Sequence, residues 1–171
     1  FIAQPENAER LFEYIGGEVA EVVSNPRSSH IALRIAYFIN AYLMQHNIGY
    51  TTGADGGYIV AGERYIPDVG YISKQRQPQL AERGYNPNPP ELAVEVLSPS
   101  NDPDLMRIKV ANYLAANTVV WIVRPDVQMV EVYVPGQPVQ RKRIDGTLDG
   151  GDFLPGFTLA VAEIFPQDEE A

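Results

Sequence analysis

Two carboxylates and one lysine in this chain stand where carbon side chains would be expected. Glu95 lies inside Leu92-Ala93-Val94-Glu95-Val96-Leu97, a run apolar on both faces, as in a central strand. An ionised carboxylate there is costly to desolvate unless it is paired or metal-bound. Asp68 belongs to Tyr65-Ile66-Pro67-Asp68-Val69-Gly70-Tyr71-Ile72, where period-two alternation puts it on the face of Ile66, Gly70 and Ile72. Lys109 falls three residues after Met106 and four before Tyr113, so it borders the apolar stripe of the helix that follows the Glu95 strand. Each has a plain structural alternative. Glu95 could be a salt-bridged or solvent-facing end of its strand, Asp68 a turn residue after Pro67, and Lys109 a lysine that buries its stem and frees its head.

Taken together the three make a chemical unit. Two carboxylates on neighbouring strands repel unless a divalent cation lies between them, and Mg²⁺ favours one or two carboxylates with waters and substrate phosphate. A nearby ammonium can orient an attacking water and stabilise negative charge developing on phosphorus. Acid, acid, lysine is thus the minimum set for Mg²⁺- or Mn²⁺-dependent phosphodiester hydrolysis without histidine or cysteine.

Composition leaves few other hydrolytic sites. The 171 residues contain no cysteine, which excludes a disulfide scaffold, a thiol nucleophile and cysteine-ligated zinc. Only His30 and His46 represent histidine, so any metal is expected to be held by oxygen and to be a hard ion. Thirteen basic against 22 acidic residues give a net charge of −9, the wrong global sign for coating nucleic acid. A local basic site is still open: Lys74 and Arg76 follow the Asp68 strand, while Arg141-Lys142-Arg143 either tracks phosphates or protects a sheet edge. Gly53-Ala54-Asp55-Gly56-Gly57 is a turn without phosphate-loop spacing. No apolar run reaches the roughly 18 residues of a membrane span, so no membrane partner is expected. The missing cysteines and the absence of a signal-like start make a cytoplasmic protein the expectation.

The elements that must position these residues read as one α/β domain over 1–171, with 45% hydrophobic residues to fill its core. Residues 11–15 and 18–23 flank Gly16-Gly17 as an N-terminal hairpin. Ile31, Ile35, Phe38, Ile39, Tyr42 and Leu43 share one helical face between 28 and 46, with Ser24, Asn25 or Ser28 to cap it. Short strands follow at 50–52, 57–61 and 65–72, then a loop to Pro90 and the Glu95 strand. Asp102 is a natural N-cap and Pro103 a first helical residue for the Lys109 helix. Strands at 119–123, 127–134 and 139–144 come next, and a packed arm or short helix spans about 150–165 before acidic residues 168–170. The sum is a mixed, mostly antiparallel sheet flanked by two main helices.

Pro67-Asp68, Glu95-Val96-Leu97-Ser98-Pro99-Ser100, Lys109 with Tyr113, and Val120-Trp121-Ile122-Val123-Arg124-Pro125 together resemble the Uma2 family. These are restriction-endonuclease-like proteins of the PD-(D/E)xK nuclease superfamily. Phe12-Glu13-Tyr14-Ile15-Gly16-Gly17-Glu18, His30 and Leu154-Pro155-Gly156-Phe157 extend the resemblance over nearly the whole chain. It implies a restriction-endonuclease-like core with Asp68 and Glu95 as metal ligands. The superfamily places its lysine two residues after the glutamate, where this chain has Leu97, so Lys109 would enter from the following helix instead. Glu13 matches the family's N-terminal glutamate and would add a ligand or water contact, or else be an exposed hairpin residue. His30 is expected to cap or pack its helix.

The resulting expectation is a metal-dependent endonuclease acting on nucleic acid, DNA in the first place, with a basic cleft that a second subunit could complete. Edge strands and the apolar C-terminal arm offer surfaces for a homodimer. The rival is a non-catalytic relative of the nuclease fold serving as an interaction or regulatory module, motivated by Leu97 and by the net charge. Hydrolysis of a phosphorylated small molecule would use the same residues.

Overall fold

The computed structural model describes residues 1, 4–7, 10–22 and 24–167; the acidic run at 168–170 and residue 23, expected to end a strand, lie outside them. Strands β1 (Phe12–Ile15) and β2 (Glu18–Glu21) form the N-terminal hairpin, turned by Gly16 and Gly17 at φ +56° and +86°, where only glycine is unstrained. Helix α1 (Pro26–Gln45) follows. Of the three capping candidates, Asn25 acts: its side chain accepts from Ser28 N at 3.0 Å. Next come β3 (Gly49–Thr52), β4 (Tyr58–Val60), β5 (Glu63–Tyr65), β6 (Val69–Ser73) and β7 (Leu92–Val96). Helix α2 (Pro103–Ala115) leads to β8 (Val119–Arg124), β9 (Met129–Tyr133) and β10 (Gln140–Lys142), and the pair β11 (Thr147–Asp149) and β12 (Thr158–Ala160) ends the order. No helix among the described residues is long and apolar enough to cross a membrane.

The expected mixed, mostly antiparallel architecture with two main helices is present. Six strands run β10-β9-β8-β7-β6-β3, and only β7 and β8 are parallel, joined by the α2 crossover. A smaller sheet, β2-β1-β5-β4, stands apart. Alternation along the central strand β7 sends Leu92, Val94 and Val96 into the core under α1, where Ile31, Ile35, Ile39 and Trp121 are buried with them. Ala93 faces the second core, built from Tyr58, Tyr65, Tyr113 and Ile122 beneath α2 and the small sheet. Glu95, two residues on from Ala93, shares that second face.

Two expectations are corrected here. The single strand at 65–72 is in fact two, in different sheets, broken over Ile66–Asp68. Pro67 has no N–H to donate, and the chain uses the break to change sheets: Ile66 N donates to Glu13 Oε1 at 2.7 Å instead of to a ladder partner. The C-terminal arm does not offer a free apolar surface. Phe157, Leu159, Val161, Ile164 and Phe165 are buried in the core under α1, so their apolar area is already removed from water.

Candidate active site

Sequence-local effects set the phase of each contributing element. Ser98 ends β7 in a tight turn, with its N–H donating to Asn101 Oδ1 at 2.7 Å. Asp102 then caps α2 by accepting from Asp104 N at 2.8 Å, and Pro103 occupies the first position. Starting the helix there turns Lys109 and Tyr113, one turn apart, onto the same face of the sheet as Glu95. Lys109 is 3% exposed and Glu95 5%, so neither of the solvent-facing alternatives holds.

The ammonium of Lys109 lies 2.6 Å from Glu95 Oε1 and 2.7 Å from Glu13 Oε1. Tyr113 donates its hydroxyl to the same Glu95 oxygen at 3.2 Å. Glu13, brought in by β1, is 9% exposed, and it ties Lys109 to the Ile66 amide through a single oxygen. The Tyr65 ring lies 5.6 Å from the ammonium, in cation–π range. Asp68 enters from the break before β6. Val69 pairs with Val94, and one further step in that antiparallel register brings Asp68 opposite Glu95. Its Oδ2 accepts from Val96 N at 2.6 Å. Asp68, Glu95, Glu13 and Lys109 therefore come from four different elements to one place on the α2 face.

The electrostatics of this place are lopsided. Three carboxyl groups meet one ammonium in a region of low polarisability. Burial pushes the Glu95 carboxyl up to about 8, with the Lys109 ammonium opposing and the Glu13 and Asp68 carboxylates reinforcing. Burial likewise raises Asp68, against the Val96 amide and Lys109. Burial alone would lower Lys109, but the adjacent Glu95 and Glu13 outweigh it and hold the group above its ordinary value, fully charged. Tyr113 is raised well above its ordinary value by burial and then by the Glu95 charge, which keeps its hydroxyl a donor.

One ammonium cannot neutralise three carboxylates, so the surplus must be met by protons or by a cation. Among the described residues, Glu13 Oε2, Glu95 Oε2 and Asp68 Oδ1 accept no protein hydrogen bond, and the facing pair Glu95 and Asp68 each keep one of them for a cation. Among the same residues no group of three or more His, Cys, Asp or Glu side chains is placed to hold a metal ion. Two carboxylate oxygens completed by waters are a donor set of the kind that Mg²⁺ accepts.

Other candidates lie elsewhere. His30 is exposed on α1 beside Leu33, Arg34, Tyr37 and Phe38. Lys74 and Arg76 follow the far end of β6, six or more residues from Asp68 and so about 20 Å along the strand direction. Arg76 is also committed to Pro89 O, Pro90 O and Glu91, and Lys74 to Asn47. Arg141 and Lys142 lie on β10, the strand at the sheet edge, three places from β7. From the sequence Tyr113 belongs to the apolar stripe of α2 and to the family motif, with no contact to Glu95 foreseen. Its spacing of four from a buried lysine was the signal that it belongs to the site.

A family model described as "Uma2: Putative restriction endonuclease" matches residues 1–162 of this chain. The fold is similar to that of a crystal structure described as a "putative nuclease belonging to DUF820" from Anabaena variabilis ATCC 29413. That likeness has a TM-score of 0.80 and 22% identity, covering 90% of this chain and 89% of the other. At this identity the likeness speaks for the fold. Among curated proteins none matches.

Proposed function

The chain belongs to the Uma2 family, and from that membership together with the grouping of half-buried Asp68 with buried Glu95 and Lys109 we propose that it is a Mg²⁺- or Mn²⁺-dependent nuclease that hydrolyses phosphodiester bonds in DNA. The observation that carries this reading is the contact between Lys109 and Glu95. Leu97 occupies the position two residues after the glutamate, and the ammonium nevertheless reaches the carboxylate at 2.6 Å by entering from α2. The catalytic charge is retained although its place in the chain has moved.

Glu95 Oε2 and Asp68 Oδ1 would hold the cation, which when bound supplies Lewis acidity and neutralises charge on the phosphate. Glu13 and Glu95 clamp the Lys109 ammonium from two sides, which fixes its positive charge beside the carboxylates that would hold the cation. Tyr113 and the Val96 amide each use one oxygen of a carboxylate and leave the other directed to the ligand. Water would attack phosphorus and lose a proton to solvent, the bond from phosphorus to the leaving ester oxygen would break with that oxygen taking a proton from solvent, and Lys109 would oppose the negative charge that develops.

Calorimetric titration tests the reading directly. Saturable Mg²⁺ or Mn²⁺ binding is expected in the wild type and its loss in Glu95→Gln. No binding at millimolar metal with DNA present would leave the interaction-module reading standing.

The proposal includes a homodimer. Leu33, Tyr37 and Met44 are 68%, 66% and 83% exposed and follow one another at helical spacing on the outer face of α1. A two-fold axis through this stripe would bury it against its own copy. Light scattering is expected to give twice the 19.0 kDa chain mass, and the Leu33→Glu, Met44→Glu double variant to give the monomer. A monomeric wild type at micromolar concentration would refute the dimer.

A further inference from the structure

On the other flank of α2 from Lys109 lies a cavity of about 920 Å³, within the range of small-molecule sites. Its floor is carbon: Leu97, Met106, Val110, Leu114 and Ile122. The floor begins at the candidate active site. Ile122 is the partner of Glu95 in the parallel register, and Leu97 follows Glu95 on the same face by about 7 Å of strand. Three guanidinium groups line the cavity, those of Arg27, Arg107 and Arg124, against the carboxylates of Asp126 and Glu131. In a chain with a net charge of −9 this is a local positive excess.

These cations are loosely held. Arg124 Nε is buried without a hydrogen-bond partner. Its terminal nitrogens stand 3.7 Å from Glu131 and 3.9 Å from Asp126, too far for hydrogen bonds. Arg27 gives one bond, to Pro125 O at 3.3 Å. Arg107 forms only an exposed pair with Asp104, of a kind that contributes little. The orphaned Nε has almost no surface of its own, but the Arg124 side chain is 39% exposed, so its loosely paired terminal nitrogens are open to an incoming anion.

A carbon floor with a guanidinium rim matches one ligand chemistry available beside a scissile phosphate: an unstacked base lying on the floor with its own phosphate at the rim. A duplex keeps its bases stacked inside and could offer the cavity only its backbone. We infer that the cavity receives an unpaired nucleotide adjoining the phosphate to be cut, and that the preferred substrate is single-stranded or locally unpaired. This rests on the nuclease reading for its placement, but its binding test does not depend on turnover.

Anisotropy with a short labelled oligonucleotide, as single strand and as blunt duplex, in EDTA, is the experiment. The single strand is expected to bind about tenfold or more tightly than the duplex, with a salt-dependent affinity. Arg124→Ala and the cavity-filling Ala111→Trp, at an exposed helix position, are each expected to weaken single-strand binding about tenfold while melting like the wild type. Equal or tighter duplex binding, no binding of either form, or full single-strand affinity in the folded Ala111→Trp protein would overturn the inference. Single-strand binding that is lost in Arg124→Ala, in a protein that never cuts with Mg²⁺ or Mn²⁺, would support this site and sink the nuclease reading. Cleavage with unaltered binding in both variants would do the reverse.

Discussion

Glu95→Gln is expected to lower the rate of DNA nicking in Mg²⁺ or Mn²⁺ by on the order of a thousandfold, the upper end for losing one preorganised charge-stabilising group. Asp68→Asn should do the same. Both replacements keep shape and remove charge, so the loss would be chemical and not architectural. The stability control sharpens this. Glu95 is one of three carboxyls sharing a single ammonium, and burial already raises it to about 8. Near neutral pH the metal-free carboxyl is therefore mostly protonated, the amide replaces a largely neutral group of the same shape, and the thermal midpoint is expected to hold or to rise. Time courses on single-stranded DNA and on supercoiled plasmid beside a melting curve decide the matter. Cleavage at the wild-type rate in both folded variants would refute the assignment of these carboxylates.

Lys109→Met should do the opposite to stability while also abolishing cleavage. The methionine fills much of the same volume, but Glu13 and Glu95 then face each other in a dry site with no cation between them. Breaking a buried pair by removing one partner costs about 3–5 kcal/mol, because the remaining charge is left uncompensated. Urea unfolding at pH 7 measures this. The sign of its pH dependence follows from Glu95. A carboxyl whose folded-state pKa lies above its unfolded value contributes stability that is present in acid and lost as pH rises through the folded value. Without the ammonium that opposes the rise, Glu95 is raised further, so the deficit of Lys109→Met should be smallest below about pH 8, where Glu95 keeps its proton in both folded proteins, and grow as pH rises above it. Adding Glu13→Gln removes the carboxyl that faces Glu95 and is expected to restore most of the stability and none of the activity. A deficit independent of pH, or one untouched by Glu13→Gln, would mean that lost packing, not stranded charge, is responsible.

Much of the fold was legible because local chemistry and tertiary structure agree. The glycine hairpin, the Asn25 and Asp102 caps, Pro103 at the head of α2 and the two-sided apolar β7 all formed where their residue types direct. Pro67 shows where such reading fails. Its neighbours alternate like one continuous strand, and alternation alone cannot say that the chain leaves one sheet for another at a residue with no N–H. Lys74 and Arg76 fail for a related reason. Nearness to Asp68 in sequence became distance in space because an extended strand separates its two ends by its full length.

The site divides along the same line. Residue types and periodicity determined that Glu95 and Lys109 stand on core-facing positions, since a period of 2.0 or 3.6 settles which face a side chain shares with its neighbours. Only the tertiary structure decided that Glu13, 96 residues from Lys109, closes on the same ammonium, and that the register of β6 against β7 sets Asp68 across from Glu95. Strand pairing and helix docking choose among partners far apart in the chain. That choice is made by the packing of whole faces, which no local spacing encodes.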